Sequence, residues 1–201
     1  MIRYCFLFFL LSSCAFMDRE NILVVKNSVT GYPQNIVSKE LFTQKKFSFI
    51  EASFGRGPSA IMSLSSINND VHKWISEDNI IIYTYFGFVV KTEGLEHDIE
   101  TNFKSLSMNK PLIQNVNFLN PPLYGIDFSL IKLGEQPKTL KKGWLKIDSQ
   151  LVYVKREIPF LNWSNRDKFW INQKTNIVEK TKQHIHPHLP PITITFYYKY
   201  R

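Results

Sequence analysis

The chain has 201 residues, a formal charge of +8, and 44% hydrophobic and 14% aromatic residues. That apolar content on that length excludes intrinsic disorder and suits one domain with a sizeable core. Two cysteines are too few for a disulfide framework or a thiolate zinc centre, and the basic excess favours anionic neighbours such as lipid headgroups, acidic glycans or nucleic acid.

The N-terminus carries the clearest signal. Arg3 precedes the apolar run Cys5 to Leu11, and the small residues Ser12 and Ser13 stand before Cys14. A charged start, a short apolar segment and small residues before a cut site describe a cleaved secretory signal peptide. The run is too short to cross a bilayer, which takes about 20 apolar residues. Leu11-Ser12-Ser13-Cys14 resembles the lipobox of bacterial lipoproteins. The resemblance implies that residues 1–13 are removed and that Cys14 carries a diacylglycerol and, on its freed amine, a fatty acyl chain such as palmitate. Two or three acyl chains make a stable anchor where one does not. Ala15 follows; in lipoproteins generally an aspartate there favours the inner membrane, so the expected location is the outer membrane. With Cys5 removed and Cys14 lipidated, the exported domain keeps no thiol, and its core must hold it together. Export also excludes nucleic acid as a partner.

Residues 14–45 read as anchor and tether leading into the fold, and 46–201 as a β domain. Asn21 to Lys26 is apolar enough for a short helix or strand, ended by Thr30-Gly31-Tyr32-Pro33. Ser38 is placed to cap a brief helix through Leu41 and Phe42. From Phe47 the period becomes two, and the turn Gly55-Arg56-Gly57-Pro58 leads to a second run, Ala60 to Leu64, predicting a hairpin. Trp74 begins the next unit. Asp78-Asn79 predicts a turn, Ile80 to Thr84 a strand, Gly87 a tight reversal, and Phe88 to Thr92 the partner strand ending at Gly94. Leu95, Ile99 and Phe103 share one face of a predicted short helix, with Glu93, Glu96, Asp98 and Glu100 placed to suit its dipole. Residues 106–122, with three prolines and no period, predict a long loop.

Strand character resumes at Phe128 to Lys132. The cluster Lys138, Lys141, Lys142 and Lys146 is expected to be a solvated turn. Trp144 to Ile147 and Leu151 to Ile158 predict a hairpin turning at Asp148-Ser149-Gln150. Phe169 to Asn172 and Asn176 to Glu179 flank the loop Gln173-Lys174-Thr175, and Ile192 to Phe196 alternates cleanly as a closing strand. Short strands at regular spacing with one or two short helices predict a mainly β fold: a single antiparallel barrel- or sandwich-like domain.

Catalytic signatures are missing from the sequence. Gly55-Arg56-Gly57-Pro58 lacks the Lys-Ser/Thr ending and following helix of a phosphate-cradling loop, and no G-x-S-x-G elbow occurs. His184, His186 and His188 alternate, so an extended backbone would align three imidazoles for Zn²⁺ or Cu²⁺. Three nearby prolines make a polar surface segment the better reading, and no metal or cofactor is expected. The aromatics carry the remaining possibility, because sugar grooves stack pyranose rings on Trp or Tyr and hydrogen-bond hydroxyls through Asn or Gln. Trp74, Trp163, Trp170 and Asn165 are the candidate glycan or partner contacts, with Trp144 a further aromatic; the opposing reading places most of them in the core.

Three stretches, in order over about residues 45–195, resemble the YjbF/GfcB-type outer-membrane lipoproteins of exopolysaccharide and group 4 capsule loci. They are Ala52 to Ala60 with its glycine-proline turn; Trp74 to Asp78 through Gly87 and on to Val90-Lys91-Thr92-Glu93-Gly94-Leu95; and Glu157 and Trp163 through Asn165, Phe169-Trp170, Val178, Gln183 and Pro187. Asn172 stands where the family usually has Asp, Asn176 where it has Gly, and Thr181 where it has Ser. The resemblance implies an all-β domain facing the periplasm, lipid-anchored in the outer membrane and without established enzymatic activity. It would assist exopolysaccharide or capsule production or export by binding an anionic polysaccharide or a protein of the export machinery. The alternatives are a polysaccharide-processing enzyme with an acid pair, or a structural envelope lipoprotein.

Overall fold

The computed structural model describes residues 37–102 and 112–199, together with Asn27 and residues 30–32. The signal peptide, Cys14 and the Asn21–Lys26 segment lie outside the described residues. Residues 33–201 form one compact unit. A short helix, α1 (Lys39–Gln44), precedes twelve strands: β1 (Phe49–Phe54), β2 (Ser59–Asn68), β3 (Val71–Ile75), β4 (Ile81–Tyr85), β5 (Phe88–Glu93), β6 (Ile99–Asn102), β7 (Leu112–Leu119), β8 (Pro122–Lys142), β9 (Leu145–Ile158), β10 (Trp163–Asn172), β11 (Val178–Gln183) and β12 (Ile192–Tyr197). Each strand pairs antiparallel with the next, and β1 pairs with β12 from Phe49↔Tyr197 to Phe54↔Ile192, closing a barrel. The mainly β expectation holds, and closure settles barrel over sandwich.

Alternation along each strand decides what fills the barrel. Ile50, Met62, Trp74, Ile82, Val90, Ile99, Phe118, Phe128, Val152, Phe169, Val178 and Phe196, one from every strand, meet in a single buried cluster. A membrane-spanning barrel puts its apolar band outside and polar groups within; here the apolar residues line the inside. No helix among the described residues is long and apolar enough to cross a membrane.

A polar network is sealed inside this core. Asp167, with none of its surface exposed, accepts from Arg156 Nε at 2.8 Å and from the His184 backbone N–H at 2.8 Å. The Arg156 guanidinium lies 5.4 Å from the centre of the Phe128 ring. Gln183 reaches across the barrel: its Oε1 accepts from Val89 N at 3.1 Å, and its Nε2 donates to Gly87 O at 2.8 Å and to Thr181 Oγ1 at 3.0 Å. Buried polar groups are tolerated on condition that they are paired.

One patch of the outer wall is also covered. Ser38 caps α1 by accepting from Leu41 N at 3.2 Å, as expected. The helix brings Leu41 and Phe42 onto Val37, Phe49 and Tyr197, the outward side of β1 and β12. Residues assigned to the tether therefore belong to the domain's packing. Lys199 closes the helix end, donating to Phe42 O with its ammonium 3.9 Å from the Phe42 ring centre.

Four expectations change. Residues 95–103 form no helix in their described part: Ile99 begins β6, wholly buried, its N–H donating to Thr92 Oγ1. The nearby acids serve other ends. Asp98 accepts from Gly94 N and Leu95 N, while Glu93 and Glu100 flank Lys91 at 3.2 Å each. The predicted loop over 106–122 contains β7, paired to β6 and β8, because Val116 and Phe118 fill the core. Asp148-Ser149-Gln150 is not a turn; β9 runs through it, and the reversal is at Gly143-Trp144. Finally, Lys142 is not solvated. It is buried against Glu179 at 2.5 Å, because the long β8–β9 hairpin brings Gly143 against Val37 and Trp144 against Phe42, ring centres 5.4 Å apart.

Candidate functional site: a polar cleft with an aromatic lip

At the barrel end that carries the 86–87, 143–144 and 173–177 turns, a half-open cleft of about 350 Å³ remains between β4–β5, β8–β9 and β10–β11. Its floor is apolar: Phe88, Val152, Ile171 and Val178. Its rim is polar, with Gln150, Asn172, Gln173 and Asn176 beside Lys132 and Glu135, which pair at 2.6 Å. That size is in the range of small-ligand sites.

Phe86 forms the lip, and its backbone is unusual. The turn between β4 and β5 has φ of 45° at Phe86 and 82° at Gly87. A two-residue hairpin turn with both positions left-handed ordinarily takes Asn-Gly or Asp-Gly, and a bulky residue there is strained. Two neighbours hold it. A Cβ on Gly87 would lie 2.7 Å from Val178 Cγ1, so that position admits glycine alone, and Gln183 fastens the turn from across the barrel. Phe86 is thereby kept 59% exposed, its ring 4.6 Å edge-on from Tyr85.

The opposite rim is built by Asn172. Its Oδ1 accepts from Lys174 N at 2.9 Å and Thr175 N at 3.3 Å, and its Nδ2 donates to Glu179 Oε1 at 3.1 Å. This side-chain turn fixes the 173–176 loop. Asn176, which stands where the family usually has glycine, supplies a left-handed φ of 57°. Gln173 Nε2 donates to Gln150 Oε1 at 3.3 Å. The cleft thus offers an aromatic face, planar amides and an ion pair over an apolar floor. Among the described residues that line it, Glu135 is the carboxylate, and Lys132 engages that group.

The sequence candidates lie elsewhere, and the structure does not bring them together. Trp74 is wholly enclosed, its Nε1 donating to Thr84 Oγ1 at 2.8 Å and its ring edge-on to Phe196 at 6.0 Å. It presents nothing to a ligand. Trp163 packs on the core from the start of β10, and Asn165 shares that inward side. Asn172, at the cleft, is the strand's last residue, about 30 Å along at ~3.3 Å per residue. Trp170 faces outward between Leu151 and Lys180.

The alternating histidines part company. His184 turns to Asp167, its Nδ1 3.2 Å from Oδ1. His186 and His188 join His97, with His97 and His186 stacked at 4.9 Å and 5°. Burial, with His97 and His188 close by, lowers the His186 pKa to about 4. Among the described residues no three metal-ligating side chains are grouped to hold an ion.

Phe86, Gln150 and Gln173 were not singled out from the sequence. The one local signal was a phenylalanine before glycine at a predicted reversal.

Three comparisons bear on identity. No curated protein matches the chain. Among solved structures, the hypothetical lipoprotein YmcC from Escherichia coli (K12) has the same fold, with a TM-score of 0.68 at 14% identity over 92% of this chain and 97% of that one. A presumed lipoprotein from Parabacteroides distasonis ATCC 8503 scores 0.34 at 6% identity over 76% and 94% of the two chains and is too distant to inform the site. The family model described as group 4 capsule polysaccharide lipoprotein gfcB, YjbF, matches residues 25–197, the whole barrel and the segment before it. The chain belongs to the YjbF family of capsule polysaccharide lipoproteins.

Proposed function

We propose that the protein is a non-catalytic lipoprotein of the outer membrane, anchored through Cys14 with its barrel facing the periplasm. It assists exopolysaccharide or capsule production or export by holding a glycan. The observation that carries this reading is family membership over residues 25–197. The cleft supplies the supporting chemistry: Phe86 offers a ring for a pyranose face, and the amides of Gln150 and Gln173 offer donors and acceptors for its hydroxyls.

The test is complementation of a strain lacking the protein, with secreted polysaccharide as the readout. Wild type restores secretion. Cys14→Ser is expected to leave the membrane fraction and to restore little. Phe86→Asn keeps a turn residue suited to left-handed backbone and is expected to lower secretion while the protein stays folded and anchored. Normal secretion without the protein at all would overturn the reading.

A further inference from the structure

The outward side of β9, β10 and β11 carries a cationic field that the cleft does not use. Cross-strand register sets Tyr153, Lys168, Lys182 and Thr193 in one row across β9 to β12. The row beside it, Leu151, Trp170, Lys180 and Thr195, is largely covered, with Leu151 and Thr195 buried, and on the other side Lys155 faces Arg166. The residues between them on the same strands, Asp167, Phe169, Thr181 and Gln183, are buried in the barrel, so these five cations point outward. Neighbouring strands lie about 4.8 Å apart and alternate residues about 6.7 Å apart.

Two features set this wall apart from an ordinary solvated face. Lys168 and Lys182 are directly opposite partners, and like charges so placed are destabilising. Folding alone gives no reason for the pairing. Secondly, two of the cations share one aromatic ring. The Arg166 guanidinium lies 5.7 Å and the Lys168 ammonium 5.9 Å from the Tyr153 ring centre, and the Tyr153 hydroxyl accepts from Gln136 Nε2 at 3.0 Å. An aromatic platform holds the charges in place and lowers the ordering penalty when a ligand binds. Of the field's cations, Lys155 pairs with Glu157 and Lys180 feels the buried Glu51; among the described residues the ion pairs do not include Arg166, Lys168 or Lys182.

The geometry points to a docking site for an acidic polysaccharide chain on the outer wall of β10 and β11, centred on Arg166, Lys168 and Lys182. It rests on the reading of the protein as a glycan binder and adds a second surface that selects for charge. A chain of sugars bearing carboxylates meets Lys168 and Lys182 side by side across the two strands and Arg166 next along β10. None of the exposed large apolar side chains lies on β10 or β11, and the outward Trp170 is half-buried, which favours a polar chain over the acyl region of a bilayer as the occupant.

The experiment compares the full lipoprotein in detergent with the triple variant Arg166→Ala, Lys168→Ala, Lys182→Ala. The probes are polygalacturonate, neutral dextran, and phosphatidylglycerol vesicles for the reconstituted protein. Wild type is expected to bind polygalacturonate with strong salt dependence, the triple variant at least tenfold more weakly, and an Arg166→Lys, Lys168→Arg, Lys182→Arg variant within about twofold of wild type. Equal polygalacturonate binding by wild type and the alanine variant overturns the proposal. So does vesicle binding that depends on these three residues and that polygalacturonate does not displace. Loss of wall-dependent binding with secretion still sensitive to Phe86 removes this site and leaves the cleft reading standing.

Discussion

The two sides of β10 and β11 follow opposite rules. Inward, Asp167 and Gln183 sit in a packed interior where each charge or amide has found its complement in Arg156, the Gly87 carbonyl or the Val89 amide. Outward, one residue along the chain in each case, Lys168 faces Lys182 and Arg166 faces Lys155 as like charges. The same backbone serves both. A polar group within the barrel has no water to fall back on, so mispairing there is expensive, while water and salt mute repulsion at the wall. The inner face is thus fixed by stability, and the outer face is free to be shaped by what it meets.

Substitutions on either side measure that contrast. Asp167→Ala strands the buried Arg156 guanidinium and is expected to remove about 3–5 kcal/mol of stability, read from the urea midpoint. Gly87→Ala brings a Cβ into Val178 and a side chain into left-handed backbone; a loss of about 1–3 kcal/mol is expected in the same assay. A third, smaller test uses acid. In the unfolded chain His186 gains its proton near the ordinary 6.5, in the barrel only near 4. The unfolded state binds more protons between those values, so stability should fall as pH drops through that window. Its Nδ1 accepts from the His188 N–H at 3.0 Å, a bond that protonation breaks. His186→Phe should flatten the pH 4 to 6.5 part of the stability curve without abolishing folding. Last and smallest, Lys168→Thr on the wall should change stability by less than about 0.5 kcal/mol, with any shift upward as repulsion is relieved.

The hairpins that sequence could reveal are those whose turns are chemically explicit. Gly55 to Pro58, Asp78-Asn79, Phe86-Gly87 and Gln173 to Thr175 all lie at reversals. Local chemistry misled where distant partners decide. Asp148-Ser149-Gln150 has turn residues, yet β8 on one side and β10 on the other hold it straight. Leu95, Ile99 and Phe103 have helical spacing, yet Ile99 is drawn into the core opposite Phe118. The cleft was less legible than the fold. Its residues come from three hairpins, and only cross-strand register brings Phe86 near Gln150 and Gln173. The tryptophans drew attention by size, but Trp74 shows that size on an inward-facing strand position marks a core.

Closure of the barrel has a consequence for the order in which the chain folds. β1 is buried along nearly its whole length, and one of its two partners is β12, from the opposite end of the domain. The first strand therefore cannot complete its pairing until the last has been delivered. Such long-range contacts form late and slowly. The seam between β1 and β12 acts as a topological timer, holding the barrel open until the whole domain is present.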